Sequence, residues 1–542
     1  MRKTRFVALA LASVSLVGCA NRGISRESAS AADSVSGAVS GFGRKLELRR
    51  RGDAEWILGR LRALTASLSI DDKGKSLYAL TASGEWPRYL LPNDEVSFKD
   101  LKLAIPYLIA CLEEGRDEDF LELHASLLMS FRDPLQRVRS IEASALRAWN
   151  EHTTSPFMKG RTPATNSGAS AESDPADGGF WAKPRDLARR DLATGFGRAT
   201  TLRARTRDGA LLCDYDEMKT GYGTSPGFTA KCRLEAKDVK VKVKFGEVRS
   251  EPFAARVFWA LGYNLDPVDY VPHFRFRYDR SFFTDFSKRK HMDFDLTLAG
   301  KVVHRVDITG EPDPFSYIRE ARLKDGKTLT GAELRVFLLR DPAVTKVEAS
   351  HFDEKREKLV ASLETIEAQL QLKDGPWKRF GPWDWGDFDH ADRRELRGLL
   401  AASAWLGWTD CRFDNNRTAL PANGSVSEPL RFVLSDVGSV LGRTESFLRN
   451  SKDRPSEMAN AVTRRLAWEK KPVFVGYSLL DPNPAFERAT MEDVRWGLRW
   501  LMRLTPEQLK SAAVASGFAG GDLATLLEKL ERRRASMWRD FR

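Results

Sequence analysis

Residues 239–251 read VKVKVKFGEVRSE, and they predict a strand that leads directly into a helix. From Val239 to Phe245 an apolar residue alternates strictly with lysine, which is the two-residue period of a β-strand. Ser250 then predicts a helix N-cap, and the proline after Glu251 suits the first helical turn. The helix is expected to end at Gly262. The strand therefore has valine and phenylalanine on one face and three lysines on the other.

A β-hairpin is expected just before this strand. Residues 210–217 and 228–234 have the composition of strands, and the segment between them, 220–227, reads TGYGTSPG. Glycine-rich turns allow backbone N–H groups to approach phosphate groups closely. The turn is therefore a candidate for binding phosphate.

Two acidic motifs follow much later in the chain. An amphipathic helix is predicted around Leu396–Ser403, and the loop after it reads DCRFDNN from Asp410 to Asn416. A strand over Leu430–Leu434 then precedes Asp436-Val437-Gly438. The chain thus contains D-x-x-x-x-N and D-x-G, in that order. In phosphoryl transfer one aspartate accepts a hydroxyl proton, while an asparagine and a second aspartate hold metal ions that bridge the phosphates.

In this order the motifs resemble the protein-kinase fold. Four segments are more particularly similar to an uncharacterised bacterial family with a HipA-like, atypical kinase architecture, namely 243–263, 395–416, 432–443 and 489–517. The resemblance covers about 200–535 and implies a phosphotransferase that uses ATP and Mg²⁺. It also implies a role for each matching residue. Lys244 would be the lysine that binds phosphate, with Lys242 as the alternative, and Glu251 would be its partner on the helix. Asp410 would be the catalytic base, and Asn415 and Asp436 would be metal ligands. The implied cofactor-binding residues are Gly221, Gly223, Thr224, Ser225, Gly227 and Lys242.

The sequence departs from typical kinases, and a plain structural explanation stays open for each motif. Trp408-Thr409 stands where a His-Arg pair usually precedes the catalytic aspartate, and the third glycine of the turn is displaced. The lysines at 240, 242 and 244 also suit the solvated face of an edge strand. Glu251 could equally be a first-turn carboxylate that interacts with the helix dipole. Residues 410–416 could equally form an ordinary polar loop.

The N-terminus has the pattern of an export signal. Three basic residues precede an apolar run, Phe6–Val17, which is shorter than the ~20 residues of a membrane-spanning helix. Residues 16–19 read LVGC and resemble a bacterial lipobox, whose cysteine is lipidated and becomes the mature N-terminus. The resemblance implies a lipid anchor at Cys19 and, because Ala20 follows it, sorting to the outer membrane of a Gram-negative bacterium. An ordinary signal peptide with an incidental cysteine is the alternative.

Low-complexity segments divide the chain into its predicted parts. These are a lipoprotein signal peptide (1–18), a flexible tether (19–45), a helical domain (46–155), a linker (156–180) and a kinase-like domain (181–535). Within the last, an N-lobe is expected over about 195–280, an insertion over about 280–375 and a C-lobe over about 376–535. The predicted fold class is α+β, a bilobal protein-kinase-like domain preceded by a small all-helical domain.

Composition excludes several classes of protein. Of the 542 residues 42% are hydrophobic and 30% charged, which does not suit a disordered, collagen-like or multi-span membrane protein. The net charge of +12 is a mild bias that a solvated surface explains better than nucleic-acid binding. Cys213 and Cys232 flank the glycine-rich turn, and two interpretations stay open for them: a disulfide across the hairpin, which an exported protein can form, or two reduced, partly buried thiols.

Together these features predict an exported, membrane-anchored phosphotransferase. The expected partners are the membrane, a nucleotide, and an unknown protein or small hydroxylated acceptor. Because ATP is scarce outside the cytoplasm, the second hypothesis is a catalytically inactive kinase-like binding or assembly module of the cell envelope.

Overall fold

The computed structural model describes fourteen positions between 103 and 126 and most of the chain from 170 onward. The continuous ranges are 170–196, 211–218, 225–234, 237–287, 293–298, 301–307, 313–341, 351–372, 377–446, 449–460 and 474–541, with single residues at 343, 344, 347 and 472. The predicted signal peptide, Cys19, the tether, most of the helical domain, and Gly221, Gly223 and Thr224 lie outside the described residues.

The described residues form an α+β structure. Its strands are β1 (Cys213–Met218), β2 (Gly227–Leu234), β3 (Lys237–Lys244), β4 (Asn264–Leu265), β5 (Val268–Val271), β6 (Arg275–Arg277), β7 (Asp293–Leu298), β8 (Lys301–Asp307), β9 (Ile318–Leu323), β10 (Thr328–Thr330), β11 (Val360–Thr365), β12 (Ala368–Leu372), β13 (Trp377–Arg379), β14 (Asn416–Pro421), β15 (Arg431–Leu434), β16 (Thr444–Ser446) and β17 (Arg449–Asn450). Its helices are α1 (Ser250–Ala260), α2 (Arg280–Ser287), α3 (Gly331–Leu338), α4 (Glu354–Glu357), α5 (Arg394–Leu406), α6 (Pro484–Glu487), α7 (Met491–Leu501), α8 (Pro506–Ala515) and α9 (Gly520–Phe541).

The predicted hairpin and lysine strand are confirmed. Strands β1, β2 and β3 form an antiparallel meander at the centre of the larger sheet. Cys213 and Cys232 are joined by a disulfide across the β1–β2 pair, so the structure contains the bonded form and not the two reduced thiols. The bond links the two strands that flank the glycine-rich turn.

Two mixed sheets account for most of the strands in the described residues. The larger sheet has the order β10-β9-β11-β6-β1-β2-β3-β12-β5. The smaller sheet has the order β13-β14-β15-β4, in which β15 and β4 are parallel. Since β9 to β12 fall within the predicted insertion, that segment contributes strands to the same sheet as the lysine strand.

Each sheet borders its own hydrophobic core. One core is rich in phenylalanine and lies against the large sheet, where Val241 and Val243 of β3 are fully buried. The other surrounds α5, a helix whose thirteen residues are all buried and which ends at Gly407 in the left-handed conformation. Within the part of the chain that the structure describes, no helix combines the length and the apolar character needed to cross a membrane.

Candidate active site

Lys244 is a buried lysine at the end of β3. Because Val241 and Val243 face the core, Lys244 projects from the opposite face of the sheet, and it is only 2% exposed. Its Nζ lies 2.6 Å from Glu251 Oε2 and 2.7 Å from Asp436 Oδ1. Two carboxylates from separate sequence motifs, Glu251 and Asp436, therefore meet at one ammonium group.

The carboxylates around Lys244 keep it charged. Burial by itself lowers the pKa of Lys244, but the carboxylates of Asp436, Glu251 and Glu247 outweigh burial and raise the pKa well above the ordinary lysine value. The solvated-face alternative is therefore wrong for Lys244. It describes Lys240 better, since that side chain is 35% exposed and pairs with Asp216 and Glu217.

Glu251 is held on two sides. Its Oε2 accepts hydrogen bonds from Lys244 and from Gln369 Nε2, which is 2.7 Å away. Gln369 lies directly opposite Lys244 on β12 and also donates to the carbonyl oxygen of Gly246 at 2.9 Å. Burial raises the pKa of the Glu251 carboxyl, and the Lys244 ammonium counteracts that rise. Gln369 thus fixes the glutamate that the lysine contacts.

The start of α1 differs from the sequence prediction. Ser250 is the first helical residue and not the N-cap, and its hydroxyl donates to the carbonyl oxygen of Gly438 at 2.6 Å. The capping oxygens come instead from Asp453, which accepts from the backbone N–H groups of Arg249 and Ser250. The N-cap prediction was wrong because a side chain about 200 residues downstream supplies the missing acceptors.

Asp436 lies where β15 leaves the small sheet. Its backbone has a φ of +54°, a left-handed conformation, and its side chain is 44% exposed. Gly438, two residues later, has no room for a side chain, because a Cβ there would lie 2.5 Å from Glu247 Oε2. The D-x-G motif therefore has a steric explanation for its glycine, and its aspartate stays accessible from the cleft.

Asp410 and Asn415 reach the same region from the loop after α5. Asn415 Nδ2 donates to the backbone oxygen of Asp410 at 3.2 Å, and the Nε of Arg412 donates to Asp410 Oδ1 at 2.8 Å. Burial and the nearby Asp436 raise the pKa of Asp410, while Arg412 and Lys452 counteract the rise. The result is a carboxylate with a raised pKa beside the cleft, which suits a general base.

The structure adds Glu247 to the residues that the sequence analysis singled out. Carboxylate oxygens of Glu247, Glu251 and Asp436 all lie within 4.8 Å of one another, the one such acidic group among the described residues. Lys452 donates to Glu247. Glu247 lies within residues 239–251, but nothing in its sequence spacing distinguishes it from a surface glutamate.

A cleft lies between the two sheets at this point. Nine of the described residues line it: Lys242, Lys244, Glu251, Gln371, Arg379, Asn415, Arg417, Ser435 and Asp436. Of the cofactor-binding candidates, Lys242 faces the cleft. Ser225 and Gly227 are not among the lining residues: Ser225 packs against Gly246, and Gly227 pairs with Lys244 in the sheet. Four motif residues, Lys244, Glu251, Asn415 and Asp436, thus line one cleft, and Asp410 lies beside it, hydrogen-bonded through its backbone oxygen to Asn415.

The oxygen ligands at this cleft suit a hard divalent cation. Mg²⁺ prefers oxygen ligands and is usually held by one or two carboxylates together with phosphate oxygens and water. Asp436 and Glu247 offer carboxylates, and Asn415 offers an amide oxygen beside Asp436.

Comparison with known proteins gives no match: no protein-family model, curated protein or solved structure is detectably similar to this chain.

Proposed function

We propose that this chain is an ATP- and Mg²⁺-dependent phosphotransferase with a bilobal, kinase-like domain. The observation that carries the proposal is the contact of Lys244 with both Glu251 and Asp436. Glu251 and Asp436 lie 185 positions apart in the sequence. A local structural preference therefore does not explain why both contact the same lysine. A lysine paired with a helix glutamate and next to an aspartate is the arrangement that protein kinases use for phosphoryl transfer.

The two sheets supply the two lobes in this proposal. The large sheet carries Lys244, while the small sheet and the loop after α5 carry Asp410, Asn415 and Asp436. Helix α1, which carries Glu251, packs into the core around α5. A donor in the cleft between the two sheets is then held from both sides. This division supports a bilobal arrangement, since each sheet also borders its own hydrophobic core.

Each residue then has a defined task. Lys244 binds phosphate oxygens, and Glu251 with Gln369 keeps its ammonium group oriented. Asp410 accepts the proton of the acceptor hydroxyl, and Asp436, Asn415 and Glu247 are the metal ligands. Bound Mg²⁺ would neutralise charge on the phosphate oxygens.

The proposed location is the outer membrane, through lipidated Cys19. The Cys213–Cys232 disulfide supports export, because disulfides persist mainly in oxidising compartments. Lipidation itself rests on the lipobox and remains a prediction of the sequence.

The decisive measurement is ATP binding by calorimetry to the full chain in detergent, with and without Mg²⁺. Wild type should bind ATP only weakly without Mg²⁺, and Asp436→Ala should lose the Mg²⁺-dependent part, a loss of about tenfold or more in affinity. Glu354→Gln, which removes an exposed carboxylate that does not line the cleft, is the matched control and should bind as wild type does.

Two outcomes separate the hypotheses. ATP binding with Asp436-dependent phosphate release or transfer supports the enzyme. Binding without any turnover of ATP would support the second hypothesis, an inactive kinase-like module. Equal affinity in wild type and Asp436→Ala would contradict the proposed metal-dependent site at Asp436, and with it both hypotheses for this cleft.

A further inference from the structure

We infer that the cleft recognises its donor through the phosphoanhydride chain and not through an aromatic base, so that a linear inorganic polyphosphate serves as donor as well as ATP. This inference rests on the proposed phosphotransferase function and specifies its substrate class. It is carried by the side chains on both sides of the cleft beyond Lys244.

On the large-sheet side, the surface next to Lys244 is polar. Lys242 lies two residues before Lys244, on the same face of β3 and about 7 Å along the strand. In the sheet it lies between Thr229 of β2 and Gln371 of β12. A planar base stacked here would meet an ammonium group, a hydroxyl and an amide in place of aliphatic side chains.

On the opposite side, a buried carboxylate holds the lining in place. Asp266 is 6% exposed, and its Oδ2 accepts from Gln371 Nε2 at 2.9 Å, Arg379 Nη1 at 2.8 Å and Ser435 Oγ at 2.5 Å. Three lining residues from β12, β13 and the end of β15 are thus fixed by one oxygen. The polar character of this part of the cleft is therefore built into the fold.

Among the described residues, no apolar or aromatic side chain lines the cleft. All nine lining side chains are charged or carry an amide or hydroxyl, and four of them are cations: Lys242, Lys244, Arg379 and Arg417. Two are carboxylates, Glu251 and Asp436, with Asp266 behind them. Small-molecule sites that hold an aromatic group are normally lined by apolar and aromatic side chains. A base that displaced water from these cations would offer them no compensating negative charge, whereas a phosphate chain does.

Lys242 and Lys244 together suit an extended anion. The two ammonium groups project from one face of one strand, so an anion that lies along β3 contacts both. Arg417 faces the same cleft from β14. ATP satisfies this arrangement through its triphosphate, and a chain of three or more phosphates without a base satisfies it equally.

The transfer balances with either donor. The terminal P–O anhydride bond breaks as the acceptor oxygen forms a new P–O bond, and the remaining phosphate chain leaves with the bonding electron pair. Asp410 takes the proton of the acceptor hydroxyl. No oxidant or reductant is needed, and a polyphosphate donor would remove the dependence of an exported enzyme on ATP.

The test is calorimetric titration of the full chain in Mg²⁺ with ATP, tripolyphosphate and adenosine. Tripolyphosphate should bind within about fivefold of ATP, and adenosine should show no binding at millimolar concentration. Lys242→Met should weaken both phosphate ligands by about tenfold or more, since it removes a charged hydrogen-bond donor. Lys240→Met, the same substitution on the same face of the same strand but outside the cleft, should leave both affinities unchanged.

Three results would overturn the inference: binding of adenosine alone, ATP binding more than about thirtyfold tighter than tripolyphosphate, or unchanged affinities in Lys242→Met. Failure of the proposed function has a different signature. If Asp436→Ala binds ATP and tripolyphosphate as wild type does, the metal-dependent site is absent and the inference falls with it. If Asp436→Ala loses binding while adenosine binds wild type, the function stands and only the donor class is wrong.

Discussion

Lys244 is part of a charge network that makes it a poor target for testing function by mutation. Its ammonium group lies near three carboxylates, and Glu247, one of the three, is also bound by Lys452. Removing one partner from a buried ion pair leaves an uncompensated charge and typically costs 3–5 kcal/mol. A variant of Lys244 would therefore lose stability as well as phosphate binding. Asp436, with a half-exposed side chain, is the better residue to replace.

The pH dependence of the reaction should depend on Arg412. A general base must be ionised, so the rate falls as pH decreases through the pKa of Asp410. Burial already raises that pKa, and Arg412 lowers it through the 2.8 Å contact with Oδ1. Arg412→Gln should therefore shift the acidic limb of the kcat profile to higher pH, with the rate on the alkaline plateau much less affected.

The control for this prediction is Arg454→Gln, which removes an exposed arginine that pairs with Glu457. Its acidic limb should coincide with that of wild type. An acidic limb that stays in place or moves to lower pH in Arg412→Gln would show that Asp410 is not the group that titrates.

Individual site residues differ in how far the sequence could predict them. Asp410, Asn415 and Asp436 lie in motifs with fixed local spacing, so a single chain reveals them. Gln369 and Lys452 have no local signature, because each acts on a residue more than 100 positions away. Their roles become visible only when β12 pairs with β3 and the segment after Asp436 returns to α1.

At the scale of elements, the cap of α1 links the position of Glu251 to a distant loop. Asp453 accepts from the backbone N–H groups of Arg249, which precedes the helix, and of Ser250, its first residue, and has a φ of +56°. Asp453→Gly should lower the free energy of unfolding by about 1 kcal/mol, because it removes the cap while tolerating the left-handed backbone. Asp453→Ala should cost about 1 kcal/mol more, because it adds backbone strain.

Asp453→Asn is the matched control for the cap. It tolerates the left-handed conformation but keeps an acceptor oxygen for only one of the two N–H groups, since its amide nitrogen cannot accept, so its loss in urea unfolding should be smaller than that of Asp453→Gly. Equal losses in the glycine and asparagine variants would show that the carboxylate charge, and not the capping geometry, stabilises the helix.

Helices and strands with a strong hydrophobic period could be predicted more accurately than the residues at which they end or the strands with which they pair. Strict alternation identified β3, and apolar spacing identified α5, although the helix extends from Arg394 to Leu406, beyond the predicted 396–403. The pairing of β12 with β3 could not be read from the sequence, since more than 100 residues separate the two strands. Which residues of β12 pair with which residues of β3 is decided by the tertiary fold.

At the scale of the whole molecule, residues from 103–126 pack onto the core around α5. Tyr107 and Cys111 are buried in that core, and Tyr107 Oη donates to the backbone oxygen of Glu428 at 3.1 Å. Glu122 Oε1 lies 2.6 Å from His390 Nε2, and His390 Nδ1 lies 2.6 Å from the backbone oxygen of Asp384. The sequence predicted a separate helical domain that includes Tyr107, Cys111 and Glu122, and it could not predict their contacts with the core around α5.

The Glu122–His390 contact should make stability depend on pH. Burial lowers the pKa of His390, but the Glu122 carboxylate and the Asp384 carbonyl outweigh burial and the nearby Arg393, so the pKa is raised. A histidine with a raised pKa stabilises the fold fully below its unfolded value of about 6.5, and this contribution is lost as pH rises through the folded pKa. The free energy of unfolding should therefore fall above pH 6.5, by at most about 1.4 kcal/mol per pH unit from this group.

Two variants isolate this contribution in urea unfolding measured between pH 5.5 and 8.5. His390→Gln removes the titrating group, so the decrease above pH 6.5 should be smaller than in wild type. Glu122→Gln removes the carboxylate but leaves the imidazole buried beside Arg393, so the pKa of His390 should fall below its ordinary value. The histidine contribution then changes sign, and stability should rise with pH as the imidazolium becomes neutral. A wild-type slope in both variants would mean that the Glu122–His390 contact makes no pH-dependent contribution to stability.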